Sequence, residues 1–325
     1  MSQSNSEQVS PPRVEDLLID GPWKHQTVHS RGQRFHYAQC GRDADPLVLL
    51  IHGASGGWFD WRHVMEPLAD SGYRVVAVSL RGWCTSDRTP TGYRTDIAAE
   101  DMSGVIRALG HERAFVIGHD LGGFVAWTMA AQEPRLVRGA VSVGTPNPLI
   151  WLNRQMINSP LQRRLTVLAL QLSRTWGPGA GSPEAWADTM LEFAGPDYRA
   201  SADFQVTHDF HVTSLAAGAL HPASQHTQWL ARPWAPGRSR WRVSLREAVN
   251  VSRSIGGIPP VLLINGAEDR LSQPSLVQAE QETMLNDAFL DKRILPPHIL
   301  GGAGHFPHLE MPSAFIEAAG AMLDL

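Results

Sequence analysis

Two hydrophobic rhythms alternate along most of this chain. Residues 23–40 alternate apolar and polar side chains around the turn signal Ser30-Arg31-Gly32-Gln33, which predicts an antiparallel hairpin at a sheet edge. Residues 46–51 are then an unbroken apolar run, the pattern of a strand covered on both faces. Similar runs recur at 73–78, 114–117, 136–143 and 260–264. Between them, Ile97, Met102, Val105, Ile106 and Leu109 fall at helical spacing before Gly110, and 124–131 also fits a helix. A helix start is expected at 58–62, a helix at about 273–285, a short strand between Lys292 and Leu300, and a terminal helix after it. Strand and helix alternate from 46 to 144 and again from 260, which predicts an α/β fold with a mostly parallel sheet flanked by helices.

From Gly144 the rhythm stops. Pro146, Pro148 and Pro160 interrupt the chain, and the next hundred or so residues lack strand-like runs. They carry Trp at 151, 176, 186, 229, 234 and 241 and His at 208, 211, 221 and 226. The expected organisation is a core from 1–146 and 251–325, with a disordered Ser/Gln-rich tail at 1–12, and a helical insertion at 147–250. Gly/Pro clusters at 177–181 and 233–237 would be loops of the insertion.

Length and composition narrow the class. A chain of 325 residues exceeds the usual single domain, so one large domain with an insertion fits. A formal charge of −4 offers no basic surface for nucleic acid. Cys40 and Cys84 lack C-x-x-C spacing and any neighbouring metal-ligand pattern, so free thiols in a reducing compartment are expected. The N-terminus has no apolar segment and no run approaches the ~18 apolar residues of a membrane span. A soluble, cytoplasmic protein with no nucleic-acid or membrane partner is the expectation.

The candidate chemistry centres on Gly118-His119-Asp120-Leu121-Gly122-Gly123, set between an apolar run and an Ala-rich helix. This is the nucleophile-elbow pattern G-x-S-x-G with Asp120 at the serine position. Small residues on either side let the backbone turn sharply and bring the helix close to the strand. Asp269 follows the strand at 260–264, and His305 lies in the glycine-rich loop 301–308. Asp120, Asp269 and His305 thus stand after successive strands, where open α/β sheets bind ligands, in the order nucleophile, acid, histidine. Each has a plainer reading: Asp120 as a turn residue, Asp269 as a helix cap (a role for which Ser272 is better placed), His305 as a structural histidine.

The surrounding motifs resemble a known group. His52-Gly53-Ala54-Ser55-Gly56-Gly57-Trp58-Phe59-Asp60-Trp61 is similar to H-G-x-P-x-x-W-x-x-W, and His119-Asp120-x-Gly122-Gly123 to H-D-x-G-G. Arg81-Gly82-x-x-x-Ser86-Asp87 and Gly304-His305-Phe306-Pro307-His308-x-Glu310-x-Pro312 also match. On these residues the chain resembles the α/β-hydrolases of the epoxide hydrolase and dehalogenase group, over about 25–147 and 256–325; across the insertion the likeness is positional, to a helical cap. The resemblance implies hydrolysis of an epoxide to a diol through an ester on Asp120, broken by water that His305 and Asp269 activate. Backbone N–H groups of Ala54 and Leu121 would form the oxyanion hole, and Trp58 would line the pocket. It implies no metal and no organic cofactor, and a small apolar or aromatic epoxide as partner, with a homodimer as the one assembly considered.

Departures refine the choice. Dehalogenases of this group place Trp or Arg after the nucleophile and Asn after His-Gly to bind halide or carboxylate; here Leu121, Phe124 and Ala54 occupy the corresponding places. Two cap tyrosines are the usual acids over the epoxide oxygen, yet only Tyr198 lies in the insertion, and His226 falls where the second is expected. Tyr198 and His226 are the candidate donors. The rivals are a dehalogenase or another hydrolase of this scaffold, and a non-catalytic ligand-binding protein, whose expected mark would be a damaged triad.

Overall fold

The computed structural model describes residues 12–151, 182–232, 235–253, 256–275, 278 and 293–323. The tail through residue 11, Pro160, Trp176, Trp234, the loop at 177–181 and most of the helix expected at 273–285 lie outside them.

The edge hairpin is β1 (Lys24–Ser30) and β2 (Gln33–Cys40), antiparallel with Ser30 opposite Gln33. Arg31 and Gly32 both have positive φ (51° and 76°), the two-residue turn whose twist suits flanking strands. The chain continues through β3 (Leu47–Ile51), α1 (Arg62–Asp70), β4 (Arg74–Val78), α2 (Thr95–Ala108), β5 (Ala114–His119), α3 (Leu121–Gln132) and β6 (Val137–Val143). Among the described residues, four helices of eight or more residues follow: α4 (Pro183–Leu191), α5 (Ala202–Ser214), α6 (Leu220–Ala231) and α7 (Arg238–Arg253). After β7 (Val261–Gly266) and β8 (His298–Leu300), α8 (Pro312–Leu323) ends the described chain. The sheet order is β1-β2-β4-β3-β5-β6-β7-β8, parallel from β4 onward.

The unbroken apolar runs follow from burial on both sides. Leu47, Leu49 and Ile51 join one cluster with Met102, Val105, Val125 and Met129 from α2 and α3. Val48 and Leu50 join another with Val64 and Met65 of α1 and Phe315 and Met322 of α8. Successive side chains of one strand therefore serve opposite faces, and neither face can be polar.

Between β6 and β7 the described residues hold helices and no strand. A π-type turn at Leu215–Ala219, with Gly218 at φ 123°, separates α5 from α6. Asp203, Thr207 and His211 recur every four residues on α5 and share a face. That face docks on the segment before α1: the Arg62 guanidinium reaches Asp203 and Thr207 at 2.7 Å each, and His211 Nε2 meets Asp60 Oδ1 at 3.0 Å. His211 and His226 are buried.

Trp58 corrects the sequence reading. It is fully buried against Trp23, His25 and Phe59, and its indole N–H donates to the Leu17 carbonyl at 3.0 Å. It secures the N-terminal segment to the α1 side of the sheet and lines no pocket.

Candidate active site

Asp120 occupies the turn between β5 and α3 with φ 48° and ψ −111°. A non-glycine side chain held there stores ~1–3 kcal/mol of backbone strain, which surrounding contacts must offset. Its N–H donates to the Val143 carbonyl at 3.1 Å, and its own carbonyl accepts from Thr145 Oγ1 at 2.9 Å. The flanking glycines are required by space: a Cβ on Gly118 would lie 2.0 Å from the Gly122 carbonyl oxygen, and one on Gly122 2.0 Å from that of Ile51. The strand, turn and helix can close only without those side chains.

The carboxylate this turn presents is already met by an amide. Ala54 N–H donates to Asp120 Oδ2 at 3.0 Å. The loop carrying Ala54 is fixed by His52, whose Nε2 accepts from the Leu80 amide at 3.0 Å while Nδ1–H donates to the Gly53 carbonyl at 2.7 Å. Burial pushes the His52 pKa down to about 4, which keeps this tautomer neutral. Leu121 opens α3, so no intrahelical carbonyl can take its amide.

Asp269 and His305 are brought together as the sequence order requires. His305 Nδ1 is 2.9 Å from Asp269 Oδ2, and both side chains are buried. Asp269 Oδ1 accepts from the amides of Leu271 and Ser272 at 2.7 and 2.8 Å. The carboxylate therefore makes both the turn and the histidine contact, while Ser272 Oγ, the expected cap, has no partner. Burial is the largest influence on the His305 pKa and pulls it down; the charge and hydrogen bond of Asp269, with the charges of Asp120 and Glu310, outweigh it and leave the pKa raised. Among the described residues His305 Nε2 has no hydrogen-bond partner.

Two residues that sequence reasoning left without a role hold this histidine. His119 Nε2–H donates to the His305 carbonyl at 2.9 Å. Glu310 accepts from the amides of Gly304 (2.6 Å), Phe306 (2.8 Å) and Gly195 (2.9 Å), tying the His305 loop to the chain after α4. The His305 amide itself donates to the Phe193 carbonyl at 2.9 Å. The available signal was Glu310, a carboxylate inside an otherwise apolar and aromatic motif.

The two candidate donors part company. Tyr198, in the short helical turn Pro196–Arg199, has its hydroxyl 2.7 Å from both Asp203 Oδ2 and Thr207 Oγ1, in the network that also holds Arg62. Its one proton goes to a carboxylate, and burial pushes its pKa further up, so its candidacy as an acid ends there. His226 is buried with Nε2 3.0 Å from Thr95 Oγ1; burial pushes its pKa down to about 3, and the charge of Asp120 opposes that shift. The imidazole is neutral near pH 7 and within electrostatic reach of Asp120.

A family model described as the alpha/beta hydrolase fold matches residues 46–312. Epoxide hydrolase B of Mycobacterium tuberculosis is 41% identical over 198 residues, 59% of this chain and 49% of that protein. The AB hydrolase superfamily protein YfhM of Bacillus subtilis is 40% identical over 128 residues, 38% of this chain and 44% of that protein. These matches span less than half the length of either curated relative. Among solved structures, Cfl2 of Burkholderia cenocepacia superposes with a TM-score of 0.73 at 22% identity, covering 92% of this chain and 95% of that one.

Proposed function

The chain belongs to the α/β-hydrolase fold family, and on that premise we propose that it is an epoxide hydrolase acting through an alkyl-enzyme ester on Asp120. The observation that carries the reading is the placement of the Asp120 carboxylate: one oxygen rests on the Ala54 amide, and the His305–Asp269 pair stands beside it with Nε2 unengaged. A carboxylate is itself a nucleophile and needs no base to attack a saturated carbon. The second carboxylate oxygen attacks an epoxide carbon; the C–O bond to the ring oxygen breaks and leaves an alkoxide.

His226 is the proposed donor to that alkoxide. With Nε2 accepting from the Thr95 hydroxyl, Nδ1 carries the hydrogen and a neutral imidazole can stabilise the developing charge as a hydrogen-bond donor. In the second half, His305 takes a proton from water as the oxygen adds to the Asp120 carbonyl. The amides of Ala54 and Leu121 hold the resulting oxyanion; as it collapses, the departing oxygen takes the proton back from His305 and the remaining proton of the added water passes to the alkoxide beside His226, which restores the Asp120 carboxylate and releases a neutral diol. The helical segment 147–250 is read as the lid over Asp120. Trp186, Trp229 and Trp241 are buried in the core of that segment. Leu121 and Ala54 offer no side-chain N–H to a halide, which favours an epoxide over a haloalkane.

Turnover of an aryl or alkyl epoxide in 18O-water tests the ester. Asp120 should acquire the label, read by mass spectrometry of its peptide, and Asp120→Ala should lose all measurable turnover. An unlabelled Asp120 after many turnovers rules the mechanism out.

A further inference from the structure

Charge along the helical segment is sorted by position. Residues 182–214 hold six aspartates and glutamates and one arginine, whereas residues 215–253 hold six arginines and one glutamate. The fold turns this order into two surfaces. On α4 and α5, Asp188 and Asp209 flank His208, whose Nε2 is 2.9 Å from Asp188 Oδ1 and whose Nδ1 is 3.6 Å from Asp209 Oδ1. Glu184 stands one turn before Asp188, and all three carboxylates are exposed. His208 offsets one of these charges only when it is protonated. On α7, Arg240 and Arg246 are exposed and Arg242 is half-buried, and none of the three forms an ion pair among the described residues. Glu247 is the one acid on that helix.

Each surface also carries apolar area. Among the described residues the exposed large hydrophobics are Val206, Val243 and Val251. Val206, 44% exposed, lies on α5 three positions before Asp209, and Val243, 47% exposed, lies midway between Arg240 and Arg246. Residues three apart are neighbours on a helix, so each valine shares a face with its charges. The two helices are of similar length, ~20 Å for α5 and ~24 Å for α7 at the helical rise. A helix with a valine among arginines complements one with a valine among carboxylates.

These surfaces stand on different sides of the molecule. α5 docks on the segment before α1 through Asp203, Thr207 and His211, and its Phe210 packs with the α1 and α8 side of the sheet. α7 docks on the other side: Trp241 donates its indole N–H to Thr128 Oγ1 of α3 at 3.1 Å, and Gln132 donates to Ser244 Oγ at 2.9 Å. A molecule therefore cannot join its own two faces, whereas a second copy can.

We propose that the α7 face of one copy takes the α4–α5 face of another, with Arg240 and Arg246 opposite Asp188 and Asp209 and Val243 against Val206. The contact is heterologous, because each copy offers one face of either sign on different sides. Copies then join head to tail, as a chain or a closed ring, and not as a two-fold dimer. The contact does not depend on the epoxide hydrolase reading.

Sedimentation velocity of the full chain from micromolar to submillimolar concentration tests the contact. The wild type should associate reversibly, and raising NaCl from ~0.1 M to ~1 M should weaken that association about tenfold, since screening then reaches across the interface. Two double variants, Arg240→Glu with Arg246→Glu and Asp188→Arg with Asp209→Arg, should each sediment as monomers, with melting curves like that of the wild type. Their equimolar mixture should associate again, because each retains the face the other has lost. A monomeric wild type, association that ignores salt, a variant that associates alone as the wild type does, or a mixture that stays monomeric overturns the contact. Wild type that stays monomeric but is retained by phosphatidylserine vesicles, with retention lost in the α7 variant, overturns it in favour of a lipid surface.

Discussion

Two buried aspartate–histidine pairs of nearly equal length lie in different parts of this molecule. Asp269 and His305 meet at 2.9 Å at the carboxyl edge of the sheet, and Asp60 and His211 at 3.0 Å between the segment after β3 and α5. In the first, the carboxylate takes Nδ1, leaving Nε2 in the field of Asp120. In the second, the carboxylate takes Nε2, and Nδ1 is left without a partner on a ring flanked by Phe59 and Phe306. Pair geometry alone therefore does not mark a reacting site. What the remaining nitrogen faces differs: the charge of the Asp120 carboxylate in one case, enclosed aromatic surface in the other.

The largest expected contrast is kinetic. His305→Gln should slow ester hydrolysis by ~10³-fold, within the usual range for a lost general base, and intact-mass spectra should show the protein accumulating with substrate attached. His211→Gln should turn over without accumulation; an ester trapped in that variant as well would break the contrast.

Next in size is stability. Asp60→Ala leaves a buried histidine without its partner, and breaking such pairs costs ~3–5 kcal/mol. For a chain of this size that predicts a Tm lower by roughly 5 °C. An unchanged melting curve would mean that Arg62, Asp203 and Thr207 dock α5 without help.

The smallest effect is a displacement in pH. His305 must be neutral to accept a proton, and its pKa is raised above the ordinary 6.5. The hydrolytic step should therefore fall away as pH drops through a value above 6.5. Asp269→Asn removes the main upward influence and leaves burial, so the acid limb should move to lower pH. Stopped-flow rates of the second half-reaction across pH report both; a limb that does not move puts the cause of the raised pKa elsewhere.

The centre of the sheet was legible because β3, β4, β5 and β7 are buried on both faces and so wrote local apolar runs, and the hairpin because Arg31-Gly32 is a local turn signal. The placement of Asp120 and Asp269 at strand ends was legible because each follows such a run. Tyr198 and Trp58 were misassigned for a common reason. Their polar atoms are settled by partners that no periodicity predicts: the Tyr198 hydroxyl by Asp203 and Thr207 in a network that also holds Arg62, the Trp58 indole by Leu17, 41 positions away. His211 and His226 lie on helices of mixed character, where only tertiary packing tells a buried imidazole from an exposed one.

The glutamate that gathers three amides has a bearing on how such proteins can be rebuilt. Because Glu310 and the Phe193 carbonyl join the His305 loop to the chain leaving α4, the helical segment is not a detachable module. Grafting a foreign segment between β6 and β7 would have to bring its own amide to Glu310 and its own carbonyl to His305. Otherwise the recipient would inherit a new roof and lose the alignment of its base. Breakpoints for chimaeras belong after Gly195, not at the end of β6.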